Sequence, residues 1–206
     1  MPGLRHHLRF DADGILIYNN GMKKGTLAVI SGFSGVGKGT LVKALLEKYD
    51  NYALSISATT RKPRVGEVDG REYFFISKEE FESGIRDGKF LEYNNFAGNY
   101  YGTPKKYVEE QLNTGKNIIL EIDVHGGFNV KKSYPETRLI FVTAPNMDIV
   151  YERLVQRGTE TKEQIMARIE IGRQEAESMK LYDYVLVNDS LDEAVKELND
   201  YINKEA

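Results

Sequence analysis

The sequence predicts an α/β fold in which a parallel sheet is flanked by helices. Three observations lead to this prediction: apolar runs alternate with helical stretches, a glycine-rich loop joins the first run to a helix, and a polar, turn-rich segment at residues 57–103 interrupts the alternation. Strand–helix–strand units form parallel sheets with helices on both faces. Because ligands bind such sheets at the carboxyl ends of the strands, we expect the functional site there.

Composition limits the class of protein. The 206 residues can bury one domain-sized core, although length alone does not separate one domain from two. A formal net charge of -3 argues against a general nucleic-acid binder, which would need a basic face. The absence of cysteine excludes disulfides and thiolate catalysis and favours a reducing, cytoplasmic location. No apolar run approaches the ~20 residues that span a bilayer, so we expect no membrane partner.

Residues 1–24 differ from the rest and are interpreted as an N-terminal extension, either disordered or appended. They contain no apolar segment typical of a signal peptide, and a second methionine, Met22, stands just before the first core strand. The adjacent pair His6 and His7 lacks the spacing of a closed metal site. The folded domain is expected at residues 25–206.

The first strand and helix, at residues 27–30 and 41–46, enclose the glycine-rich loop. Glycine backbones take conformations that other residues resist, so several N–H groups can converge on one phosphate chain. The helix adds the positive end of its dipole, and Lys38 supplies a mobile charge for the β- and γ-phosphates of a nucleoside triphosphate. A chance glycine-rich turn is the alternative, which the order of strand, loop, lysine and helix disfavours. We interpret the loop as a P-loop formed by Gly32, Phe33, Ser34, Gly35, Val36, Gly37, Lys38, Gly39 and Thr40.

The P-loop departs from the usual pattern after its lysine. Ser or Thr normally follows directly and ligates magnesium through its hydroxyl, whereas here Gly39 holds that position and Thr40 comes next. A cation is still required, because the transferring phosphoryl group develops charge that must be neutralised. We expect Mg²⁺ to be held mainly by phosphate oxygens and water, with Thr40 as a protein group nearby.

The remaining elements follow in order. The segment at residues 57–103 reads as an antiparallel insert with a strand near residues 71–75 and a helix at 78–86, a small lobe that suits a second substrate. Helices are expected at residues 104–113, 147–156, 162–180 and 191–202. Buried parallel strands are expected at residues 117–123, 138–143 and 184–187. In this interpretation Asp123 ends its strand at the ligand-binding edge.

Together these motifs resemble guanylate kinase from about residue 25 to the C-terminus. The resemblance rests on the P-loop, residues 60–64 (TRKPR) with Gly66, Glu67 and Gly70, residues 73–75 (YFF), 98–103 (GNYYGT), 122–123 (ID), 157–159 (RGT) and 187–189 (VND). Phe33 departs from the proline common at its position. The resemblance implies a P-loop NTPase fold with a nucleoside monophosphate-binding insert at about 57–103 and a helical lid at about 153–165. It also implies the transfer of the γ-phosphoryl group of ATP to GMP, and to dGMP, with Mg²⁺.

For the acceptor, the resemblance assigns roles that the chemistry of the residues can support. Guanidinium groups and phenolic hydroxyls bind phosphate, a carboxylate accepts from guanine N1–H and N2–H₂, and hydroxyls donate to guanine O6. Asp123 would lie near the metal waters and the acceptor, with Glu121 in support. The implied GMP-binding residues are Ser57, Arg61, Arg64, Tyr73, Glu92, Tyr101, Thr103, Glu121 and Asp123.

For the donor, the resemblance places arginines on a lid that closes over the transferring group. Arg153, Arg157 and Arg168 would stabilise its charge together with Lys38 and Arg61, and Asn188 would contact the adenine edge. Residues 158–159 would form the turn between the lid helices. We expect Arg173 to be structural, and residues 182 and 184 to pack or cap.

Two alternatives remain open at this stage. The first is a related kinase acting on a ribose bisphosphate, and the second is a non-catalytic guanylate kinase-like binding module, against which an intact P-loop with Lys38 argues. The expected partners are ATP and GMP. The sequence is compatible with a homo-oligomer but does not determine the oligomeric state.

Overall fold

The computed structural model of the protein describes residues 7–10, 16–19, 24–158 and 160–205. In the N-terminal part, strands β1 (His7–Phe10) and β2 (Leu16–Asn19) pair antiparallel as a sheet of their own. The segment therefore contains regular secondary structure, whereas the sequence was interpreted as an extension that is either disordered or appended. The assignment of residues 1–24 as an extension stays a prediction, and His6 and Met22 lie outside the described residues.

The chain then alternates strands and helices. The strands are β3 (Leu27–Ser31), β4 (Tyr52–Leu54), β5 (Ala58–Thr59), β6 (Phe74–Phe75), β7 (Phe90–Phe96), β8 (Asn99–Pro104), β9 (Asn117–Glu121), β10 (Arg138–Thr143) and β11 (Tyr184–Val187). The helices are α1 (Lys38–Lys48), α2 (Lys78–Arg86), α3 (Lys105–Asn113), α4 (Val124–Ser133), α5 (Met147–Arg157), α6 (Lys162–Ala176), a 3₁₀ helix (Glu177–Leu181) and α7 (Leu191–Asn203).

A five-stranded parallel sheet forms the core, with strand order β11–β10–β3–β9–β4. Every residue of the central strand β3 is buried, so both faces of the sheet are covered there. Helices α3 and α1 contact β9, α4 contacts β3 and β10, and α7 contacts β11 and α1. The carboxyl end of β3 therefore opens directly into the P-loop at one edge of a well-packed core.

The inserted lobe has its own four-stranded sheet, in the order β6–β5–β8–β7. Phe81 of α2 is fully buried and stacks on Phe90 and Tyr100, with ring centroids 4.3 and 5.1 Å apart. A capping box between Ser77 and Glu80 fixes the start of α2. The lobe confirms the expected insert with a helix, except that β5 and β6 run parallel.

Two elements of the core were missed by the sequence analysis. Strand β4 is only three residues long and forms the edge of the sheet beside β9. Helix α4 contains Gly126 and Gly127, which are poor helix formers. A Cβ on Gly127 would lie 3.2 Å from Val29 Cγ1 of β3, which shows how closely the helix approaches the sheet.

Two predicted boundaries were wrong. Strand β9 ends at Glu121, and Asp123 instead caps the N-terminus of α4, its carboxylate accepting from the Gly126 N–H at 2.7 Å. Helix α6 ends at Ala176 and is followed by a 3₁₀ turn, where a continuous helix to residue 180 was expected.

Candidate active site

The P-loop occupies the predicted place between β3 and α1. Gly32, Gly35 and Gly37 all have positive φ angles, of 142°, 86° and 85°. A Cβ at Gly32 would stand 2.1 Å from the carbonyl oxygen of Val142 in β10, so neither its conformation nor its surroundings admit a side chain. The side chains of Phe33 and Val36 are buried in the core, and these two residues offer only their backbone to the site.

Lys38 lies folded back on the loop. Its ammonium group donates to the carbonyl oxygen of Gly32 and, at 3.2 Å, to that of Phe33. Burial lowers the pKa of Lys38, and the carboxylates of Glu121 and Glu175 oppose that shift. The charge is therefore held in the site by neighbouring acids and weak carbonyl acceptors, and a stronger anion can draw it away.

Two large cavities meet at Lys38. The lobe-side cavity, of about 670 Å³, is bordered by Ser57, Tyr73 and Thr103 of the lobe. The lid-side cavity, of about 680 Å³, is bordered by the P-loop, α5 and the loop after β11. Both are lined by Ser34, Lys38 and Glu121. This arrangement can bring two ligands together at one cation.

A smaller cavity of about 280 Å³ continues the lobe-side cavity into the lobe. Glu92 lines it and is 9% exposed, and the Thr103 hydroxyl donates to its carboxylate at 2.6 Å. Burial raises the pKa of Glu92, and the charge of Asp123 raises it further, whereas the hydrogen bond from Thr103 lowers it. Tyr101 and Asn94 stand at the same cavity, and so do Glu121 and Asp123, so Glu92 shares this pocket with two other acids.

Two acids stand at the carboxyl end of β9 and open onto the cavities. Burial raises the pKa of Glu121, and the Lys38 ammonium opposes the shift. Asp123 accepts a hydrogen bond of 3.4 Å from Asn94 of the lobe. Among the described residues no group of three or more His, Cys, Asp or Glu side chains could hold a metal ion. Thr40, the other candidate metal group, is exposed at the lid-side cavity.

The lobe arginines lie away from these cavities. Arg61 binds Glu67 through both ends of its guanidinium, at 2.9 Å each, and stands over the rings of Tyr73 and Phe75. The bond to Glu67 raises the pKa of Arg61. Arg64 is exposed, and its backbone N–H donates to the same glutamate. The predicted phosphate-binding pair borders none of the three cavities just described.

Two of the three predicted lid arginines, Arg153 and Arg168, contact the P-loop directly. Arg153 donates to the carbonyl oxygens of Val36 at 3.3 Å and of Asn188 at 3.0 Å, and the Asn188 amide donates to Val36 at 2.8 Å. Arg157 lines the same cavity. Arg168 of α6 donates to the Ser34 hydroxyl at 2.9 Å and lines the lobe-side cavity.

Two further expectations for this region concern Arg173 and the turn after α5. Arg173 pairs only loosely with Glu170, at 3.5 Å, and both side chains are more than half exposed. Gly158 caps α5 with a positive φ of 64°, as the expected turn requires. Thr159 lies outside the described residues.

Three residues of the site were missed by the sequence analysis. Glu175 of α6 lines the lobe-side cavity, and burial raises its pKa. Ser55 lines the same cavity with a buried hydroxyl that has no partner among the described residues. Glu160 binds Arg168. Nothing in the local sequence distinguishes them, because only the docking of α6 and β4 at the P-loop gives these polar residues a place in the site.

The chain matches known proteins over the whole of this architecture. The family model for guanylate kinase covers residues 24–205, which include the sheet, the lobe and the lid. The guanylate kinase of Clostridium perfringens is 50% identical over 175 residues, 85% of this chain and 81% of that protein. The guanylate kinase of Synechocystis sp. is 48% identical over 182 residues, 88% of this chain and 95% of that protein. The crystal structure of guanylate kinase from Anaplasma phagocytophilum aligns with a TM-score of 0.66 at 29% identity, over 87% of this chain and 85% of that one.

Proposed function

Since the chain belongs to the guanylate kinase family, it is a kinase that phosphorylates GMP with ATP, and we propose how its residues divide this reaction. The fold is that of the P-loop NTPases. The observation that carries the proposal is the meeting of two cavities at Lys38, Ser34 and Glu121. Most of the P-loop lines the lid-side cavity, and the lobe-side cavity continues into the smaller pocket around Glu92, so a triphosphate and a base can be bound on opposite sides of one lysine.

The lid-side cavity is proposed to bind ATP. The P-loop N–H groups and the N-terminus of α1 would hold the β- and γ-phosphates, and Asn188 would stand near the adenine. Lys38 would leave the carbonyl oxygens of Gly32 and Phe33 for the phosphates, which are stronger acceptors because they are charged. Arg153, Arg157 and Arg168 would stabilise the charge that develops on the transferring group.

The lobe-side cavity is proposed to bind GMP, with its base in the small pocket. In the free protein the Thr103 hydroxyl partly satisfies the buried Glu92 carboxylate. Guanine N1–H and N2–H₂ would donate to that carboxylate instead, which would release the hydroxyl of Thr103, together with that of Ser57, to donate to O6. The same two donors would favour the ionised form of Glu92 and lower its raised pKa.

The acceptor phosphate is proposed to bind Tyr73, Tyr101 and the two lobe arginines. Arg61 would exchange Glu67 for the phosphate, or keep it as an orienting partner, when the lobe closes. We expect dGMP to be used as well, because every group with an assigned role reads the base or the phosphate.

A divalent cation is required by a kinase that uses ATP, and we propose Mg²⁺. The residues present fit a cation held mainly through phosphates and water, because no group of three or more His, Cys, Asp or Glu side chains among the described residues could hold a metal ion and the Asp123 carboxylate already accepts from Gly126. Thr40 and Asp123 would hold it through water. When bound, the cation neutralises charge on the triphosphate.

Cellular context stays a set of expectations. In the described part of the chain no helix is long and apolar enough to cross a membrane. The cytoplasmic location, inferred from the absence of cysteine, and the absence of a nucleic-acid partner, inferred from the charge of -3, stay predictions, and so does a homo-oligomer.

A coupled assay of ADP formation tests the proposal with GMP, dGMP, AMP, UMP and CMP as acceptors. AMP has an amino group where O6 should be and lacks both N1–H and N2–H₂, so a site of this kind should prefer GMP by roughly 10⁴–10⁵-fold. Glu92→Gln should raise the KM for GMP sharply and leave that for ATP nearly unchanged, because an amide offers one acceptor where the carboxylate offers two. The matched control is Glu79→Gln, at an exposed glutamate of the same lobe. Equal use of AMP and GMP would refute the guanine-reading role of Glu92.

A further inference from the structure

Arg168 is held between two partners on different elements. Its Nε forms an ion pair with the Glu160 carboxylate, with Nε and Oε1 2.5 Å apart, and its Nη1 donates to the Ser34 hydroxyl of the P-loop at 2.9 Å. The Glu160 side chain is 11% exposed, although that of Arg168 is 45% exposed. An ion pair with one enclosed partner is screened less by water than the exposed Arg173–Glu170 pair further along α6.

The start of α6 fixes Glu160 relative to Arg168. Thr161 caps the helix and forms a capping box with Gln164, whose side chain accepts from the Thr161 N–H at 2.8 Å. Glu160 immediately precedes this cap, and Arg168 lies two helical turns further along. The carboxylate therefore has a defined position from which it can set the orientation of the guanidinium.

The geometry of the pair leaves part of the arginine available. A guanidinium carries five N–H donors in a rigid planar fork. Glu160 pairs with Nε, and Ser34 accepts from Nη1. No further partner of this guanidinium is found in the part of the chain that the structure describes, and Arg168 lines the lobe-side cavity together with Lys38. A fork held at its base in this way is pre-organised for a phosphoryl group.

A purely stabilising role explains the pair poorly. The second carboxylate oxygen of Glu160, Oε2, is buried and has no donor among the described residues. A buried charged oxygen without a partner costs free energy, and enclosed ion pairs are often no more stable than apolar replacements. If the pair holds Arg168 in one orientation for catalysis, that function offsets the cost of burying Glu160. A contribution to folding stability alone does not offset it.

We propose that Glu160 is a positioning residue that acts through Arg168, holding its guanidinium toward the phosphoryl group in transfer. The inference rests on the proposed role of Arg168 in the kinase reaction. It adds that the lid supplies the arginine together with the acid that orients it.

A double-mutant cycle tests the inference in the full-length protein. Glu160→Ala, Arg168→Ala and the double variant are compared with wild type for kcat, for the KM values of ATP and GMP, and for thermal unfolding. A small misplacement of a catalytic group costs about 10–10²-fold in rate, so we expect such a fall in kcat for Glu160→Ala with nearly unchanged KM values. The effect should vanish in the Arg168→Ala background. The matched control is Glu170→Ala, which removes the other glutamate–arginine pair of α6 and should leave kcat unchanged.

The outcomes separate the two claims. If Arg168→Ala leaves kcat unchanged, the proposed role of Arg168 fails, and this inference fails with it. If Arg168→Ala lowers kcat but Glu160→Ala does not, only the positioning role is overturned. Additive losses, or a rise in kcat for Glu160→Ala, would also overturn it. Should Glu160→Ala not fold, Glu160→Gln, which keeps the shape and removes the charge, decides by the same comparison in the Arg168→Ala background.

Discussion

At the scale of single residues, Lys38 connects the two halves of the site. It lines both large cavities, and it is the first residue of α1, directly after the positive-φ Gly37. Its two acceptors in the free protein are carbonyl oxygens of the same loop. Its hydrogen bonds therefore stay within the loop, and it acts on the more distant Glu121 and Glu175 through its charge.

Replacing Lys38 with alanine should therefore abolish transfer and leave the fold intact. Loss of one pre-organised charge at the transferring phosphoryl group should lower kcat by about 10²-fold or more. The control is Lys43→Ala, at an exposed lysine of the same helix that pairs with Glu47. Circular dichroism and thermal unfolding should be similar for all three proteins. Near-normal turnover of the Lys38 variant would refute its assignment.

The raised pKa of Glu92 leads us to expect that the stability of the folded protein depends on pH. Its pKa in the folded protein is raised above the ordinary 4.5, chiefly by burial. The folded state therefore binds this proton more tightly than the unfolded state does, and the contribution of Glu92 to stability falls as pH rises from about 4.5 through the raised folded pKa. A tenfold difference in proton affinity between the two states corresponds to about 1.4 kcal/mol of unfolding free energy.

The neutral variant Glu92→Gln should escape this loss, since its amide can still accept from Thr103. We expect its melting temperature without nucleotide to exceed that of wild type at about pH 8, with the difference shrinking toward about pH 4. Differential scanning calorimetry across this range measures both curves. A difference that is constant with pH would mean that ionised Glu92 costs the fold nothing.

Residues differ in how far the sequence could predict them. The P-loop was predicted because three glycines, a lysine and the flanking elements are adjacent in the chain. Glu160, Glu175 and Ser55 were not, because each gains its place only through tertiary packing. Arg61 shows the converse, since its sequence context indicates a phosphate ligand but its guanidinium binds Glu67.

At the scale of elements, the lobe and the lid frame the cavities from two sides. The lobe reaches the core through the bond between Asn94 and Asp123, which at 3.4 Å is long. The lid reaches it through Arg153 and Arg168 on the P-loop. Among the described residues few polar contacts hold either element against the core, although Leu91 of the lobe and Leu154 of α5 also pack in it.

Both elements should close when donor and acceptor are bound. A bisubstrate analogue that joins adenosine and guanosine through phosphates should slow hydrogen exchange at residues 57–103 and at residues 153–162. Strand β3, which is fully buried, serves as the internal reference and should not change. Identical exchange in the free and bound protein would contradict closure.

The same elements show why part of the fold escaped prediction. Strands β10 and β11 were placed correctly because each contains a continuous apolar run, as buried parallel strands do. Only β10 is buried, however; β11 lies at the edge of the sheet with Val185 and Val187 exposed, so its expected burial was wrong. Helix α4 was missed because its glycines lower helix propensity and serve close packing instead. Edge strand β4 has only three residues, too few for a periodic signal.

At the scale of the whole molecule, the two large cavities adjoin each other and have three lining residues in common. Ser34, Lys38 and Glu121 line both, so the ends of two bound nucleotides can meet without an intervening protein group. No cysteine exists in the chain, and the residues shared by the cavities would serve as cation, hydroxyl and acid beside the phosphates. Direct transfer between the nucleotides is therefore the simplest chemistry that this architecture supports.

Direct transfer predicts a kinetic pattern. Initial rates measured at several concentrations of ATP and GMP should give intersecting double-reciprocal lines, because both nucleotides must be bound before phosphate moves. The bisubstrate analogue should compete with each nucleotide and bind more tightly than either, since it occupies both cavities at once. In Lys38→Ala the analogue should lose affinity, because the lysine stands where its phosphates cross from one cavity to the other. Parallel lines would indicate a phosphorylated protein intermediate. Phosphate would then pass through a protein residue and not directly from one nucleotide to the other.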